Sequence, residues 1–118
     1  ILMNMNTLST IGNRAPNNYT LLILDNGTYG STGNQKTFTS ENTSLKEVAI
    51  GAGCRNVIEC NPNETPNKIL NAIKDKKNSY VIISKIKSGN IKVKPIPLNP
   101  ITLRDRFRKY LGLVSFLK

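Results

Sequence analysis

The sequence predicts an α/β fold: a partial, doubly wound parallel sheet with helices on both faces. Two runs of consecutive aliphatic residues, 21–24 and 81–83, lack the alternation of a half-exposed strand. Strands of this kind are typical of parallel sheets that are covered on both sides. Helical patterns separate these runs, which favours a layered arrangement of strands and helices.

Three strands and one uncertain extension follow from the pattern. We expect the first strand over residues 19–25, the second over Asn56–Cys60 and the third over residues 79–87. Residues 91–93 either extend the third strand or pair with it. Strands of this length, joined by helices, indicate βαβ units.

The first two helices are indicated by spacing and by their ends. Residues 2–11 predict a helix that stops at Gly12 and Asn13. Ser44 and Glu47 form a possible capping box for the second helix, which ends near residues 51–53. The inward positions of the second helix are Leu45, Val48 and Ala49.

Two later helices carry similar start signals. Thr65 followed by Pro66 resembles an N-cap with proline in the first turn. The predicted buried stripe of that helix consists of Ile69, Leu70 and Ile73. Thr102 with Asp105 is the predicted cap of the last helix. The apolar face of this helix comprises Leu103, Phe107, Tyr110 and Leu111.

Composition limits the class of protein. A chain of 118 residues forms one domain, and we expect it in the cytoplasm because no leader or transmembrane stretch is evident. Cys54 and Cys60, without any histidine, cannot supply a closed zinc site, and we interpret them as buried reduced thiols, although a disulfide remains open.

The net charge of +10 raises the alternative of a basic nucleic-acid or anion-binding module. The lysines are spread along the chain, and the few aromatic residues are not interleaved with them as a stacking platform for single strands requires. We therefore predict no nucleic-acid partner and no membrane partner, and favour solvated basic faces.

The segment after the first strand is the most informative for function. The strand leads directly into a turn containing Asp25, Asn26, Gly27 and Gly30. Asparagine and aspartate offer oxygens to a cation, and glycine lets a ligand approach the backbone. An Asn-Gly turn is also typical of hairpins, but residues 28–35 show little apolar alternation and no clear return strand. We therefore predict a ligand loop at the carboxyl end of a strand.

This segment carries a family resemblance. Residues 25–30, about two dozen residues after a helix start, resemble the second half of the thiamine diphosphate (TPP) signature, with Asp25 in place of the first of two asparagines. The continuation over residues 31–37 resembles the Ser-x-Gly-Gly-Gln-x-Thr loop of sulfopyruvate and phosphonopyruvate decarboxylases, with Asn34 replacing the second glycine. Residues 96–98 through 106–107 resemble the tail of sulfopyruvate decarboxylase beta subunits.

The resemblance implies a set of binding residues. Asn26 would coordinate Mg²⁺ through its side-chain oxygen and Thr28 through its backbone carbonyl, because this ion takes hard oxygen ligands. Gly27 and Gly30 would lie against the diphosphate, and Tyr29 beside the cofactor. The hypothetical substrate contacts are Ser31, Gln35 and Lys36.

The resemblance also implies an activity and a partner. It points to the beta subunit of a TPP- and Mg²⁺-dependent carboxy-lyase that converts sulfopyruvate to sulfoacetaldehyde and CO₂, a step of coenzyme M formation in methanogens. We expect no catalytic residue on this chain, because the activating glutamate would come from the pyrimidine-binding domain of an alpha subunit in a hetero-oligomer. The four glutamates in question match no such context: Glu41, Glu47, Glu59 and Glu64.

One half of the signature is absent from the sequence. The Gly-Asp-Gly triplet of the family does not occur, so we expect residues 1–118 to be a truncated C-terminal portion of the pyrophosphate-binding domain, without its first strand and that loop. Such a chain should be inactive alone. Phosphonopyruvate decarboxylase and the acetolactate synthase group remain alternatives, although the loop over residues 31–37 weighs against the latter.

Overall fold

Three parallel strands form the central sheet. The structure, a computed structural model, describes residues 1, 3–89, 93–96 and 99–113. The strands are β1 (Thr20–Asp25), β4 (Asn56–Cys60) and β5 (Tyr80–Lys85), and β5 lies between the other two. The parallel register pairs Asp25 with Lys85, so the carboxyl ends of the strands lie at one edge of the sheet.

Helices cover both faces of this sheet, which confirms the predicted fold class. On one face, α1 (Asn6–Arg14) and α2 (Leu45–Gly51) pack against β1 and β5. On the other, α3 (Thr65–Lys74) packs against β4 and β5. The central aliphatic run is fully buried, as the absence of alternation predicts: Val81, Ile82 and Ile83. The same prediction is wrong for the run in β1, because Leu22 and Leu24 are 38% and 59% exposed in a strand that lies at the end of the strand order.

The structure contradicts the prediction that no return strand follows Gly27. Residues Thr28–Tyr29 (β2) and Gln35–Lys36 (β3) pair in an antiparallel hairpin. Two residues per strand are too few to show apolar alternation, so the pattern gave no signal. The reversal lies beyond the Asn-Gly turn, where Gly33 and Asn34 have positive φ angles of 153° and 61°. Asparagine tolerates the left-handed region. Asn34 can therefore replace the second glycine of the decarboxylase loop that residues 31–37 resemble.

The bounds of α1 differ from the prediction at both ends. The helix begins at Asn6, whose N–H donates to the Asn4 side chain at 3.2 Å, and residue 2 lies outside the described residues. It continues through Gly12 and ends at Arg14, and the capping residue Ala15 is left-handed with φ of 39°. Gly12 has a packing role instead, because a Cβ there would lie 2.3 Å from the Ala52 carbonyl oxygen.

The second helix follows its prediction, whereas the buried stripe of α3 does not. The Ser44 side chain accepts from the Glu47 N–H at 3.2 Å, and Leu45 and Ala49 are buried. In α3, however, Leu70 and Ile73 are 54% and 61% exposed.

The face of α3 that meets the sheet contains smaller residues. It carries Thr65, Ile69 and Ala72, which lie four and three residues apart and so share one side of the helix. Thr65 is inside the helix rather than its cap: its hydroxyl contacts the Asn61 carbonyl oxygen and the Ser84 hydroxyl at 2.9 and 2.7 Å.

The cap of the last helix, α4 (Pro100–Tyr110), lies three residues before the predicted one. The Asn99 side chain, not Thr102, accepts from the first-turn N–H groups of Ile101 and Thr102. None of its residues is buried. The third strand ends at Lys85, Val93 is not in a strand, and residues 91 and 92 lie outside the described residues.

Cys54 and Cys60 are buried free thiols, in agreement with their interpretation as reduced side chains. Among the described residues, no group of acidic, cysteine or histidine side chains could hold a metal ion. No helix in that part of the chain has the length and apolar character needed to span a bilayer.

Candidate functional site

Asp25 is the centre of a hydrogen-bond network at the end of β1. Its Oδ1 accepts from the Gly27 N–H at 3.0 Å and from the Thr39 hydroxyl at 2.8 Å. Its Oδ2 accepts from the Lys85 ammonium at 2.6 Å, and its side chain is only 7% exposed. Burial alone would raise the pKa of this carboxyl, but Lys85, Thr39 and the Gly27 N–H together hold the pKa below its usual value.

The turn that follows Asp25 is rich in oxygen atoms that can accept hydrogen bonds. The Asn26 side-chain oxygen accepts from the Thr28 N–H at 3.2 Å, which fixes its direction and leaves it a second lone pair. Gly27 is left-handed, with φ of 66°, and its carbonyl accepts from the Thr37 N–H at 2.9 Å. The Thr28 hydroxyl is buried and has no hydrogen-bond partner in the described part of the chain.

The structure brings some of the predicted site residues together. Lys36 lies opposite Thr28, and Gln35 opposite Tyr29, across the hairpin. Ser31, Gln35 and Lys36 are exposed, and the Gln35 side chain contacts the Thr32 hydroxyl at 3.2 Å. These contacts place two of the three hypothetical substrate residues beside the turn, and Ser31 nearer the hairpin tip.

A small cavity of about 150 Å³ opens beside the turn. Asp25 and Tyr29 line it, together with the hydroxyl-bearing residues Thr37 and Thr39. No glutamate is among its lining residues. A larger groove of about 480 Å³ lies away from this site, between β1 and α3, and includes Leu22 and Ile73.

Lys85 and Thr39 were not singled out from the sequence. Thr39 comes fourteen residues after Asp25 and Lys85 sixty, so no local spacing connects them. The sequence does contain a weak signal for Lys85, because it lies two residues after the aliphatic run 81–83, close to the end of a predicted strand, as Asp25 lies directly after the run 21–24. Parallel pairing of those two runs places both residues at the same sheet edge.

The donor set of the turn fits part of a Mg²⁺ shell. A neutral amide oxygen, backbone carbonyls and an unpartnered hydroxyl are hard ligands of the kind that Mg²⁺ accepts alongside phosphate oxygens and water. Asp25 is a poor ligand in this arrangement, because its Oδ1 already accepts two hydrogen bonds and the positive charge of Lys85 at Oδ2 repels a cation. A carboxylate ligand, if the shell has one, must come from outside residues 25–30.

A parallel sheet with a glycine-containing, oxygen-rich turn at a strand end defines a cofactor-binding α/β domain. Over residues 1–84 the chain matches the family described as thiamine pyrophosphate enzymes, C-terminal TPP binding domain. The chain therefore belongs to this family, whose cofactor is TPP.

Two archaeal relatives are similar to this chain over most of its length. The chain is 45% identical over 107 residues to sulfopyruvate decarboxylase subunit beta of Methanocaldococcus jannaschii, covering 91% of this chain and 56% of the relative. It is 36% identical over 107 residues to the subunit of the same name from Methanococcus maripaludis, covering 91% of this chain and 57% of the relative.

A third relative acts as a phosphonopyruvate decarboxylase. This Streptomyces viridochromogenes protein is 43% identical over 60 residues, which covers 51% of this chain and 15% of the relative. The chain spans about half the length of the two archaeal relatives and a smaller share of the Streptomyces protein.

Proposed function

We propose that this chain is part of the beta subunit of a TPP-dependent decarboxylase that converts sulfopyruvate to sulfoacetaldehyde and CO₂. The observation that carries the proposal is the oxygen-rich turn at the end of β1, in a chain that belongs to a TPP-binding family. The 45% identity to a sulfopyruvate decarboxylase beta subunit supports sulfopyruvate as the substrate.

Residues 26–30 hold the metal and the diphosphate in this proposal. The Asn26 side chain and the Thr28 carbonyl bind Mg²⁺, Gly27 and Gly30 lie against the diphosphate, and Tyr29 packs beside the cofactor. The positive φ of Gly27 and the unpartnered Thr28 hydroxyl support the assignment. When bound, TPP supplies a nucleophilic carbon and an electron sink for loss of CO₂ from a 2-oxo acid.

The sulfonate of the substrate is held by Ser31, Gln35 and Lys36. Lys36 supplies the positive charge, and its position opposite Thr28 keeps that charge close to the turn. Lys36→Ala should raise the KM for sulfopyruvate more than it lowers kcat. Lys46→Ala, which removes an exposed lysine from α2, is the matched control. An unchanged KM for sulfopyruvate in Lys36→Ala would refute the assignment of Lys36 to the sulfonate.

The partner is an alpha subunit that carries the pyrimidine-binding domain and its activating glutamate. The name "subunit beta" of the archaeal relatives supports a separate source for that group. Residues 1–118 then form the C-terminal portion of the pyrophosphate-binding domain, and the acidic metal ligand belongs to another part of the complete protein.

Reconstitution tests the proposal. The complete beta chain that carries this sequence, co-expressed with the alpha chain, should release CO₂ from sulfopyruvate only when both Mg²⁺ and TPP are present. Each subunit alone should be inactive. CO₂ release by the beta chain without its partner would contradict the proposal. So would a complex with Mg²⁺ and TPP that releases no CO₂ from sulfopyruvate.

Phosphonopyruvate decarboxylation is the second candidate, because 60 residues of the chain are 43% identical to an enzyme of that name. Sulfonate and phosphonate are both tetrahedral anions, so one basic loop can bind either. Comparing kcat/KM for the two acids on the same complex separates them. A ratio in favour of phosphonopyruvate would replace the proposed substrate while leaving the cofactor site intact.

A further inference from the structure

Lys85 reaches Asp25 from the central strand and contacts Oδ2, whereas the Gly27 N–H of the turn contacts Oδ1. Its ammonium lies 2.6 Å from Asp25 Oδ2, and the two residues are register partners at the ends of β5 and β1. The next residue, Ile86, donates its N–H to the Asp25 carbonyl at 2.9 Å. The end of β5 therefore contacts both the side chain and the backbone of Asp25.

Asp25 in turn connects the turn with the loop that follows the hairpin. Through Oδ1 it accepts from the Gly27 N–H, within the turn, and from the Thr39 hydroxyl. The Thr39 hydroxyl lies 2.7 Å from that of Thr37, whose N–H donates to the Gly27 carbonyl. Gly27 is therefore held through both its N–H and its carbonyl.

The charges explain why Lys85 matters for an anionic ligand. A carboxylate that is 7% exposed, next to a turn that would contact a diphosphate, repels the ligand and is costly to bury alone. Lys85 neutralises this charge and occupies Oδ2, which keeps Asp25 turned toward Gly27 and Thr39. The lysine side chain is itself 40% exposed, so it can return to solvent at little cost if its partner is removed.

We propose that Lys85 is a positioning residue for the diphosphate turn: by neutralising and orienting Asp25 it holds Asn26–Gly27–Thr28 in the geometry that binds Mg²⁺ and diphosphate. This inference rests on the proposed cofactor site. It assigns Lys85 an effect through Asp25, not a contact with the ligand.

A double-mutant cycle tests it in the complete beta chain assembled with its alpha chain. The readout is the dissociation constant of Mg²⁺-TPP from titration calorimetry, without substrate. Lys85→Gln leaves the buried carboxylate uncompensated and should weaken binding by about 10- to 100-fold, as loss of a supporting partner does in metal sites. Lys87→Gln, which removes the same charge from an exposed lysine just beyond β5, should leave the affinity unchanged.

The second half of the cycle separates positioning from direct contact. Asp25→Asn keeps an oxygen that can accept from Gly27 and Thr39, and should lower the affinity only slightly. The double variant Asp25→Asn/Lys85→Gln contains no charge to compensate and should recover to the level of Asp25→Asn. Recovery is specific to an effect through Asp25.

Each other outcome has a defined meaning. Equal affinities for Lys85→Gln and Lys87→Gln would overturn the inference, and so would a double variant as weak as Lys85→Gln, which would show a direct contact with the anion. If Lys85→Gln does not fold, Thr39→Val removes another donor to Asp25 and should weaken binding severalfold, and an unchanged affinity would refute the role. Failure of the wild-type complex to bind Mg²⁺-TPP would instead refute the proposed function itself.

Discussion

At the residue scale, the Thr28 hydroxyl should lower the stability of the free protein and contribute to ligand binding. Its buried hydroxyl has no partner in the described part of the chain, and such a group costs about 1–3 kcal/mol relative to a satisfied one. A bound ligand or its water can satisfy the hydroxyl.

Thr28→Val should therefore change the two properties in opposite directions. Valine keeps the branched shape and the backbone carbonyl but removes the hydroxyl, so the melting temperature of the cofactor-free protein should rise. The affinity of the assembled complex for Mg²⁺-TPP should fall. Differential scanning calorimetry and titration calorimetry measure the two effects, and a variant that binds as tightly as wild type would show that the hydroxyl has no part in the site.

Gly27 is required for conformation as well as for space. Its φ of 66° is left-handed, and an added Cβ would lie 3.2 Å from the Cβ of Ser40. Gly27→Ala should cost about 1–2 kcal/mol in unfolding free energy and weaken cofactor binding, because the turn must adjust. Gly51→Ala is the control, since a Cβ there meets nothing within 4 Å. Equal denaturant midpoints for the two variants would contradict this role.

Asp75 gives the residue-scale prediction for pH. Hydrogen bonds from the Tyr80 hydroxyl at 2.6 Å, the Asn78 amide and the Lys77 N–H lower the pKa of Asp75 from 3.8 to about 2. A folded-state pKa below the unfolded value stabilises the protein above pH 3.8, and this contribution is lost as the pH falls toward 2.

Tyr80→Phe removes the largest of these effects. The pKa of Asp75 should move toward 3.8, and the stability lost on acidification should decrease. Carboxyl chemical shifts of Asp75 during a pH titration measure the first effect, and melting temperatures across the acid range measure the second. Tyr19→Phe, at an exposed tyrosine, is the control, and a pKa that stays near 2 in Tyr80→Phe would refute the assignment.

At the element scale, the contact between α1 and the end of α2 depends on two glycines. A Cβ on Gly12 would lie 2.3 Å from the Ala52 carbonyl oxygen and 2.8 Å from the Gly53 carbonyl carbon, and both are backbone atoms. Gly12→Ala should therefore destabilise the protein by about 1–3 kcal/mol, although alanine is the better helix former. Thr10→Ala, on the exposed side of α1, isolates the helix-propensity effect. A Gly12→Ala variant as stable as Thr10→Ala would show that the helices separate easily.

The elements also show what a sequence can and cannot predict. Two aliphatic runs and a capping box predicted β1, β5 and α2, and a shorter apolar segment predicted β4, because these signals are local. The buried face of α3 was predicted from its largest apolar residues, yet the sheet is covered by Thr65, Ile69 and Ala72. Which face packs depends on the other elements, so Leu70 and Ile73 could not be placed from helical spacing alone.

The candidate site, too, could be predicted from the sequence only in part. Residues 25–30 were recognisable because the glycines, asparagine and aspartate are contiguous and resemble a family signature. The contact of Asp25 with Lys85 depends on strand order and register, and its contact with Thr39 depends on the path of the loop after the hairpin, so the sequence pattern alone determines neither. The short hairpin strands gave no periodic signal at all.

At the scale of the whole molecule, the net charge of +10 is compatible with the proposed small-molecule anions. Part of the basic charge is engaged locally, since Lys85 contacts Asp25 and Arg104 contacts Asp105. The absence of a nucleic-acid partner stays a prediction. Salt-sensitive binding to oligonucleotides would favour the alternative of a basic binding module.

The parallel order β1-β5-β4 places the candidate site at the carboxyl-end edge of the sheet. The turn after β1 and Lys85 at the end of β5 meet there because parallel strands align their carboxyl ends. The central claim is that this edge holds Mg²⁺ and the diphosphate of TPP through Asn26 and its neighbours.

Mg²⁺-dependent binding of TPP, measured by calorimetry on the complete beta chain with its alpha chain, tests that claim most directly. We expect wild type to bind only with Mg²⁺, Asn17→Ala in the exposed segment before β1 to bind equally well, and Asn26→Ala to lose the Mg²⁺-dependent binding while keeping its fold. An Asn26→Ala complex that binds TPP with wild-type affinity and wild-type Mg²⁺ dependence would contradict it.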